Sequence, residues 1–503
     1  MPSMKNKMQL YSWTFLSVPV ITVAIATTGA DPAAKTPIQA EANGSCATFG
    51  CGPGRNMVNT VDKNIPTEWS YENGQMKNVK WVARVGTNSY GGPVVAGNKV
   101  LVGTNNESPR NPQGVVKCFN AADGKLLWQA VHDALPPEIG KEAREHGIPS
   151  TPSVEGNRVY YVNNRCEVIC ADVEGEPATK EAKIIWRLDM IKELGVFPHK
   201  LPNCSPLIAG DMLFITTGNG IDEEEVKNPK APSFIAVDKK TGKVKWQDNS
   251  PGDQIVMGQW SNPAYAVVNG KAQVIFGGGD GWLRAFEPET GKPIWWFNCN
   301  PKNDKAKGGR DAKNYLVATP VVNDNKVYVG VGQEPSLGSG VGHLWCIDIT
   351  KTGDVSPVND NLDPKAEINK KSALVWHYGG LADAKAAEET GSDNVFGRTV
   401  STCAIHDGLV YAAELAGFIH CLDAKTGKRY WIHDLKADIW GSPYYVDGKI
   451  YVGTGDGTIG IFAHGKEKKS LPNVEMANAV YSTPIAVSGV LYILTMRELV
   501  AIK

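Results

Sequence analysis

The sequence predicts an all-β protein, an eight-bladed β-propeller of four-stranded antiparallel blades. First, one unit recurs through the chain: a Pro start, three apolar strands separated by Gly, Asn or Asp turns, and a strand that carries Trp. Second, each apolar stretch has the length of a strand and is rich in Val, Ile and Tyr. Third, the last unit lacks its Trp strand, whereas an extra Trp strand precedes the first unit. A closed ring of blades explains all three observations.

Residues 1–30 have the composition of a secretory signal peptide. A basic start at Lys5 precedes an apolar stretch that Pro19 interrupts, and small residues end the stretch near Ala30. This order of cationic, apolar and small residues is typical of a cleaved signal. The alternative is an uncleaved membrane anchor. We therefore expect an exported protein, periplasmic or extracellular, with no transmembrane segment after removal of the signal.

Residues 31–78 are polar, punctuated by Gly and Pro and without periodicity, which predicts a flexible leader. The propeller is predicted over residues 79–503, and the strand around Trp81 should complete the C-terminal blade and remove an open sheet edge. The unit start is a Pro, or Ala404 in its place, at eight positions: Pro93, Pro152, Pro206, Pro263, Pro320, Ala404, Pro443 and Pro484. Seven blades is the competing count, because the unit after Pro443 has no clear Trp ending.

The charge balance argues against nucleic acid as a partner. The chain has 52 Lys plus Arg against 53 Asp plus Glu, a formal net charge of -1. Such a chain has no overall electrostatic attraction to a phosphate backbone. Hydrophobic residues make up 42% of the chain, which is enough for a packed core.

Three unit endings are nearly identical: AVDKKTGKVKW (236–246), AFEPETGKPIW (285–295) and CLDAKTGKRYW (421–431). They resemble the repeat of the quinoprotein alcohol dehydrogenase-like superfamily, the PQQ-repeat β-propellers. The superfamily contains both PQQ-dependent dehydrogenases and a scaffold lipoprotein of the outer-membrane β-barrel assembly machinery. The resemblance therefore implies the fold, with a packing role for the repeat Trp and Gly residues, and leaves the function open.

Four cysteines recur at one position of the repeat, where Ala236 and Ala285 stand in other units. They are Cys118, Cys170, Cys346 and Cys421. Their register predicts small core residues. Cys46 and Cys51 lie close together outside the repeats and are expected to form a small loop disulfide. The sequence has no C-x-x-C-H motif for covalent haem, and it lacks the adjacent Cys-Cys pair of many dehydrogenases in the superfamily.

Most long loops are predicted on one face of the ring, because second-to-third strand loops and loops between blades open on the same side. The expanded loops are 105–114, 219–232, 333–342, 132–149, 189–202, 298–316 and 380–399. One insertion, 351–372, should emerge on the opposite face. Loops carried by a rigid ring are common binding surfaces, so we expect a protein partner or small ligand on this loop-rich face.

Four aromatic residues, Tyr90, Trp260, Trp440 and Tyr481, stand three positions before a start Pro. This shared register predicts that they lie near the mouth of the central channel. We expect their rings to plug the channel. The alternative is that they stack on a planar ligand, because dehydrogenases of the superfamily use a Trp near this point as the floor of the quinone site.

Acidic or amide residues recur in the second-to-third loops. They are Glu107, Asn219, Asp280, Glu334, Glu414 and Asp456. The resemblance implies Ca²⁺ ligands in Asn219 and Glu107, since such loops in the dehydrogenases supply oxygen ligands, and a catalytic base in Asp280. The interpretation we favour is that these residues form hairpin turns.

The leading functional interpretation is an exported propeller that acts as a binding or scaffold module through its loop-rich face. The alternative is a PQQ- and calcium-dependent alcohol dehydrogenase-like oxidoreductase, in which a carboxylate removes the hydroxyl proton of an alcohol. A polysaccharide-binding or polysaccharide-hydrolysing propeller is a third interpretation, supported by the channel-mouth aromatic residues alone.

Overall fold

The computed structural model describes residues 45–71, 76–139, 144–300, 313–333, 335–337, 340–357 and 369–503. The predicted signal peptide, residues 1–30, and Glu334 lie outside these ranges. Eight antiparallel sheets follow one another along the described chain, so the predicted eight-bladed all-β propeller is confirmed. The count of seven blades is wrong, because the unit after Pro443 forms a sheet of its own.

Within each blade the strands are numbered from the channel outward. The first four blades contain the following strands: blade 1, Val94–Ala96, Lys99–Asn105, Gln113–Asn120 and Leu126–Asp133; blade 2, Ser153–Glu155, Arg158–Val162, Glu167–Asp172 and Ile184–Asp189; blade 3, Leu207–Ala209, Met212–Thr216, Phe234–Asp238 and Val244–Asp248; blade 4, Ala264–Val268, Lys271–Gly277, Trp282–Phe286 and Pro293–Asn298.

The remaining four blades repeat this order. Their strands are the following: blade 5, Val321–Asn323, Lys326–Gly332, Gly342–Asp348 and Leu374–Leu381; blade 6, Ala404–His406, Leu409–Ala413, Phe418–Asp423 and Arg429–Asp434; blade 7, Tyr444–Val446, Lys449–Gly453, Thr458–Ala463 and Val474–Glu475; blade 8, Ile485–Val487, Val490–Leu494, Glu498–Ile502 and Val79–Arg84.

Short elements decorate the ring. The strands are Val58–Asn59, Ile221–Asp222, Glu225–Val226, Gly353–Asp354 and Asn394–Phe396, the α-helices are Met190–Leu194 and Ala384–Thr390, and the 3-10 turns are Phe49–Cys51, Arg144–His146, Gly252–Gln254 and Pro335–Leu337. Gly353–Asp354 belongs to the predicted 351–372 insertion and pairs with the outer strand of blade 4. No α-helix in the described ranges is long and apolar enough to cross a membrane.

The ring closes through the strand before the first unit, as the sequence predicts. Val79–Arg84 pairs antiparallel with Glu498–Ile502, and Trp81 lies opposite Ala501. The N-terminal strand is therefore the outermost strand of blade 8, and the C-terminal sheet has no unpaired third strand.

Each repeat Trp except Trp295 locks its blade to the next one. Trp81 donates its indole N–H to the carbonyl of Ala121 in blade 1 at 3.0 Å. A Cβ at Gly124 of the same turn would lie 2.7 Å from the Trp81 ring, and the φ of Gly124 is +70°, so only Gly fits there. Trp295 instead donates to Gln273 Oε1 within its own blade, and Gln273 Nε2 donates to the carbonyl of Ile349 in blade 5.

The four recurring cysteines occupy the core, as predicted. Each lies opposite the Trp of its own blade, where Ala236 lies opposite Trp246 in blade 3. All four are buried, and burial raises the pKa of the Cys421 thiol to about 12. A buried neutral thiol behaves as a small apolar side chain at neutral pH.

The start position of blade 6 differs from the sequence prediction. Ala404 is the first residue of a strand, and its equivalents in blades 1 and 7 are Val94 and Tyr444, each of which follows the start Pro. Cys403 therefore takes the place of the start Pro. The predicted start of blade 6 was one residue too late, because Thr402–Cys403 lacks the Pro that marks the other units.

The structure describes residues 45–71 and 76–78 of the leader predicted over residues 31–78. Residues 46–59 circle the channel on the side opposite the loop-rich face, and we call this segment the floor segment. It contacts the blades in chain order, through Cys46 and Val95, Ala47 and Val154, Pro53 and Tyr265, Gly54 and Val322, Asn56 and Ile405, Met57 and Tyr445, and Asn59 and Ala486. The predicted disulfide between Cys46 and Cys51 is present within it.

Arg55 anchors the floor segment from inside the channel. Its side chain is fully buried, and the guanidinium donates to the carbonyls of Pro263 at 2.8 Å and Ser205 at 3.1 Å, in blades 4 and 3. It also donates to Thr48 Oγ1 and to the carbonyl of Phe49, both at 2.9 Å. Burial lowers the pKa of Arg55 to about 10, so the side chain stays charged at neutral pH.

Candidate functional site

A cavity of about 500 Å³ fills the loop-side end of the central channel. Side chains alternate along an extended segment, so the residues one and three positions before each blade start face the same way. All sixteen of these residues line the cavity. The outer tier is Tyr90, Pro149, Asn203, Trp260, Val317, Val400, Trp440 and Tyr481, and the inner tier is Gly92, Thr151, Ser205, Asn262, Thr319, Thr402, Ser442 and Thr483.

The inner tier is a ring of small polar residues that ties neighbouring blades together. Thr151 N donates to Ser205 Oγ at 3.0 Å, and Ser205 N donates to Asn262 Oδ1 at 2.6 Å. The same pattern links Ser442 N to Thr483 Oγ1 at 2.9 Å. Phe49 of the floor segment also lines the cavity. The inner end of the cavity is therefore lined by side chains that also form hydrogen bonds between neighbouring blades.

The outer tier carries the four predicted aromatic residues. Tyr90 and Tyr481, from blades 1 and 8, stack with ring centroids 5.9 Å apart and planes 3° apart. Trp440 of blade 7 packs against Tyr481 at 5.7 Å, and its indole N–H donates to Asp438 Oδ2 at 2.7 Å. Trp260 stands in blade 4 and donates to the carbonyl of Leu201 at 3.1 Å. The prediction that these residues lie at the channel mouth is confirmed.

The expectation that these rings plug the channel is wrong, since the cavity lies between them. Tyr90, Trp260 and Tyr481 are only partly buried, and Trp440 is 36% exposed. Burial raises the pKa of both tyrosines, so their hydroxyls are neutral and able to donate at neutral pH. Aromatic faces on two sides of a cavity suit a planar or apolar group.

Three buried polar atoms at the cavity have no hydrogen-bond partner among the described residues. They are Thr151 Oγ1 and Asn203 Oδ1, from neighbouring blades, and His146 Nδ1 at the rim. Thr151 is 2% exposed, and leaving such a group unpaired is unfavourable. All three atoms are therefore available to hydrogen-bond a ligand in the cavity.

The loops predicted to be long supply the rim of the cavity. His146 lies in the 132–149 loop and stacks on Tyr90 with centroids 5.5 Å apart, and Lys200 lies in the 189–202 loop. Pro335 and Ser336 lie in the 333–342 loop. No Asp or Glu of the described ranges lines the cavity. The rim therefore offers a cation, hydroxyls and aromatic faces.

The structure does not bring the predicted calcium ligands to the cavity. Asn219 is fully buried in the blade 3 loop, where its Oδ1 accepts from Phe197 N at 3.0 Å and its Nδ2 donates to the carbonyl of Asn228 at 3.0 Å. Glu107 belongs to blade 1 and pairs with Arg84 at 2.5 Å. Asn219 is bonded within the loops next to blade 3 and Glu107 is paired with Arg84 of blade 8, so these two residues do not fit a shared Ca²⁺ site.

Asp280 is likewise engaged elsewhere. Its carboxylate accepts from both terminal nitrogens of Arg284, at 3.0 and 2.6 Å, and from Trp282 N at 3.2 Å. It is buried and does not line the cavity. Both oxygens of this carboxylate are occupied by the bidentate pair, so neither is free to accept a proton from a substrate. The geometry agrees with the turn-forming role expected for these loop residues.

Several site residues escaped the sequence analysis. In the sequence, the inner-tier residues appear only as small polar residues before each start Pro. They lie two positions after the outer-tier residues, and this spacing could have predicted that they face the channel as well. Thr151 and Asn203 share that register. Phe49 carried no signal, because the floor segment has no periodicity.

Comparison with known proteins places the fold among PQQ-repeat propellers. The family model described as outer membrane protein assembly factor BamB matches residues 56–221, 112–362 and 366–502. BamB of Moranella endobia (strain PCIT) is 20% identical over 390 residues, covering 75% of this chain and 88% of that protein.

Quinoprotein dehydrogenases are also similar to the chain. The dehydrogenase subunit of the alcohol dehydrogenase (quinone) of Komagataeibacter europaeus is 28% identical over 275 residues, which cover 45% of this chain and 35% of that protein. The crystal structure of a quinohemoprotein alcohol dehydrogenase from Comamonas testosteroni aligns with a TM-score of 0.60 at 14% identity, covering 91% of this chain and 80% of that one. The chain spans 35% or less of the length of the curated quinoprotein relatives it matches.

Proposed function

The chain belongs to the family described as outer membrane protein assembly factor BamB, and from this premise we propose that it is a binding module for a protein partner. The partner is proposed to be a component of outer-membrane protein assembly. It would contact the loop-rich face and insert a side chain or short segment into the cavity. The carrying observation is the cavity itself, lined in register by all eight blades and rimmed by the long loops.

The chemistry of the cavity supports binding better than catalysis. Its walls present Trp and Tyr, which are enriched at the energetic centres of protein interfaces, beside hydroxyl and amide groups that can hydrogen-bond a partner. The cavity has no described carboxylate to act as a base, and Asp280 is paired with Arg284. Export to the periplasm or the extracellular space is part of the proposal, and it rests on the composition of residues 1–30.

The proposal is tested by the affinity of the mature protein for the purified outer-membrane protein assembly complex, measured by biolayer interferometry. Trp440→Ala should weaken binding by about 10- to 30-fold, as expected for a Trp at the centre of an interface. Trp296→Ala is the matched control, because Trp296 is equally exposed, at 36%, but lies on the outer strand of blade 4. Equal affinities for the two variants would refute the cavity as the binding site. Absence of binding by the unmutated protein would refute the assembly complex as the partner.

The alternative is a PQQ- and calcium-dependent oxidoreductase. Its support is the set of aromatic faces around the cavity and the similarity to quinoprotein dehydrogenases. Asn219, Glu107 and Asp280 do not fit the calcium and base roles. The test is dye reduction by the purified protein with PQQ, Ca²⁺ and alcohols. We expect none, and reduction that is lost in Trp260→Ala would favour the alternative.

A further inference from the structure

A cluster of metal-ligating side chains lies at the other face of the ring, away from the cavity. It consists of His406, Asp407 and His464, whose candidate ligand atoms all lie within 4.8 Å of one another. The first strand of blade 6 starts at the cavity and ends at His406, so the turn that carries Asp407 opens on the opposite face. His464 follows the third strand of blade 7. The cluster therefore joins two blades.

Two imidazoles converge on one carboxylate oxygen. Asp407 Oδ2 lies 3.3 Å from His406 Nε2 and 4.0 Å from His464 Nε2. The side chains of the two histidines are 19% and 17% exposed, whereas that of Asp407 is 72% exposed. The cluster is thus a nearly buried pair of nitrogen ligands with an oxygen ligand at its solvent side.

Neighbouring groups hold both rings in place. His464 Nδ1 is hydrogen-bonded to the Tyr411 hydroxyl at 2.9 Å, and that hydroxyl accepts from Gly465 N at 3.1 Å. The His406 ring packs against Tyr445 with centroids 4.0 Å apart. In metal sites, the far ring nitrogen of a ligating His is usually hydrogen-bonded in this way, which fixes the orientation of the coordinating nitrogen.

We propose that His406, Asp407 and His464 bind one divalent transition-metal ion, with zinc as the reference metal, and so tie blade 6 to blade 7. Two neutral imidazoles and a carboxylate are a ligand set that suits zinc. The fourth position faces solvent beside Asp407 and takes a water molecule. Blade 7 has a fourth strand of only two residues, Val474–Glu475, so a tie at this point reinforces the blade with the shortest outer strand of the eight.

The test is isothermal titration calorimetry of ZnCl₂ into the tag-free mature protein after treatment with EDTA. We expect one equivalent of zinc to bind. His464→Gln should abolish binding, and Asp407→Asn should weaken it at least about tenfold, which is the effect of losing one ligand interaction of 1.4 kcal/mol or more. The backbone of Asp407 has a φ of +45°, which Asn tolerates, so Asp407→Asn should fold even if His464→Gln does not.

His433→Gln is the control, because His433 lies on the outer strand of blade 6 outside the cluster. It should leave the zinc affinity unchanged. Substitution of Co²⁺ for zinc should give the visible absorption of a tetrahedral site, and Asp407→Asn should alter that spectrum. No zinc binding tighter than about 1 mM, or equal affinity in Asp407→Asn and the unmutated protein, would overturn the proposal.

Discussion

Replacing Arg55 with Met should destabilise the whole ring, although Arg55 lies outside the repeats. Met keeps most of the side-chain volume, so the change removes hydrogen bonds without opening a large cavity. The buried carbonyls of Pro263 and Ser205 and the partly buried carbonyl of Phe49 lose their donor. An unpaired buried acceptor costs about 1 to 3 kcal/mol, so the three together cost roughly 6 kcal/mol, with the partly buried one at the low end of that range.

Part of this cost is offset, because the folded protein no longer buries a cation. Burial lowers the pKa of Arg55 from 12.5 to about 10, which corresponds to about 3 kcal/mol against the charged form. The net loss in the free energy of unfolding is therefore about 3 kcal/mol. Equilibrium urea unfolding followed by Trp fluorescence measures it.

Arg84→Met is the control for this measurement. Arg84 pairs with Glu107 on the surface, with 71% of its side chain exposed, and surface changes of this kind cost about 0.5 kcal/mol or less. If Arg55→Met is no more destabilising than Arg84→Met, the floor segment does not hold the ring together and the reasoning is wrong.

Three further predictions concern closure, the core thiols and pH. Trp81→Ala should lower the free energy of unfolding by about 3 to 5 kcal/mol, because it leaves a cavity between blades 8 and 1. The control Trp296→Ala should cost less than about 1 kcal/mol, and equal losses for the two variants in urea unfolding would contradict ring closure. Cys421 should resist alkylation in the native protein, and Cys421→Ala should lower the free energy of unfolding by about 1 to 2 kcal/mol. Because the folded pKa of Cys421, about 12, exceeds the ordinary value of 9.0, its contribution to stability should fall as the pH rises from 9 towards 12. Fast labelling of Cys421 in the native protein, detected by mass spectrometry, would refute its burial. Burial lowers the pKa of His132 from 6.5 to about 4. The unfolded chain therefore binds one more proton between these values, and the free energy of unfolding should fall by up to about 1.4 kcal/mol per pH unit as the pH drops from 6.5 to 4. Thermal unfolding of His132→Gln should lack this loss of stability, and a pH profile equal to that of the unmutated protein would contradict the prediction.

The repeat register predicted the ring and the outer tier, because periodic burial leaves a periodic pattern in the sequence. Tyr90 and Trp440 were placed at the channel mouth from their distance to a start Pro alone. The floor segment was missed because it passes from blade to blade and does not repeat one contact, so its sequence has no periodicity. Arg55, which anchors the segment, would be expected on the surface from its residue type, because its carbonyl partners in blades 3 and 4 are distant in the sequence.

Loop chemistry was harder to predict than loop position. Asp280 stands in a loop where dehydrogenases of the superfamily have a base, but Arg284 neutralises it. That Arg is visible four residues later, and in a strand with a short turn it can reach back to the carboxylate. The free volume between the aromatic rings depends on their rotamers and on the ring diameter, neither of which the sequence encodes locally.

Hydrogen–deuterium exchange of the mature protein, with and without the outer-membrane protein assembly complex, tests the central claim most directly. Binding at the loop-rich face predicts slower exchange in the 132–149 and 189–202 loops, which rim the cavity. The turn at Asp407, on the opposite face, should exchange at an unchanged rate. Protection confined to the opposite face, or no protection in either loop, would contradict a binding module that uses the channel mouth.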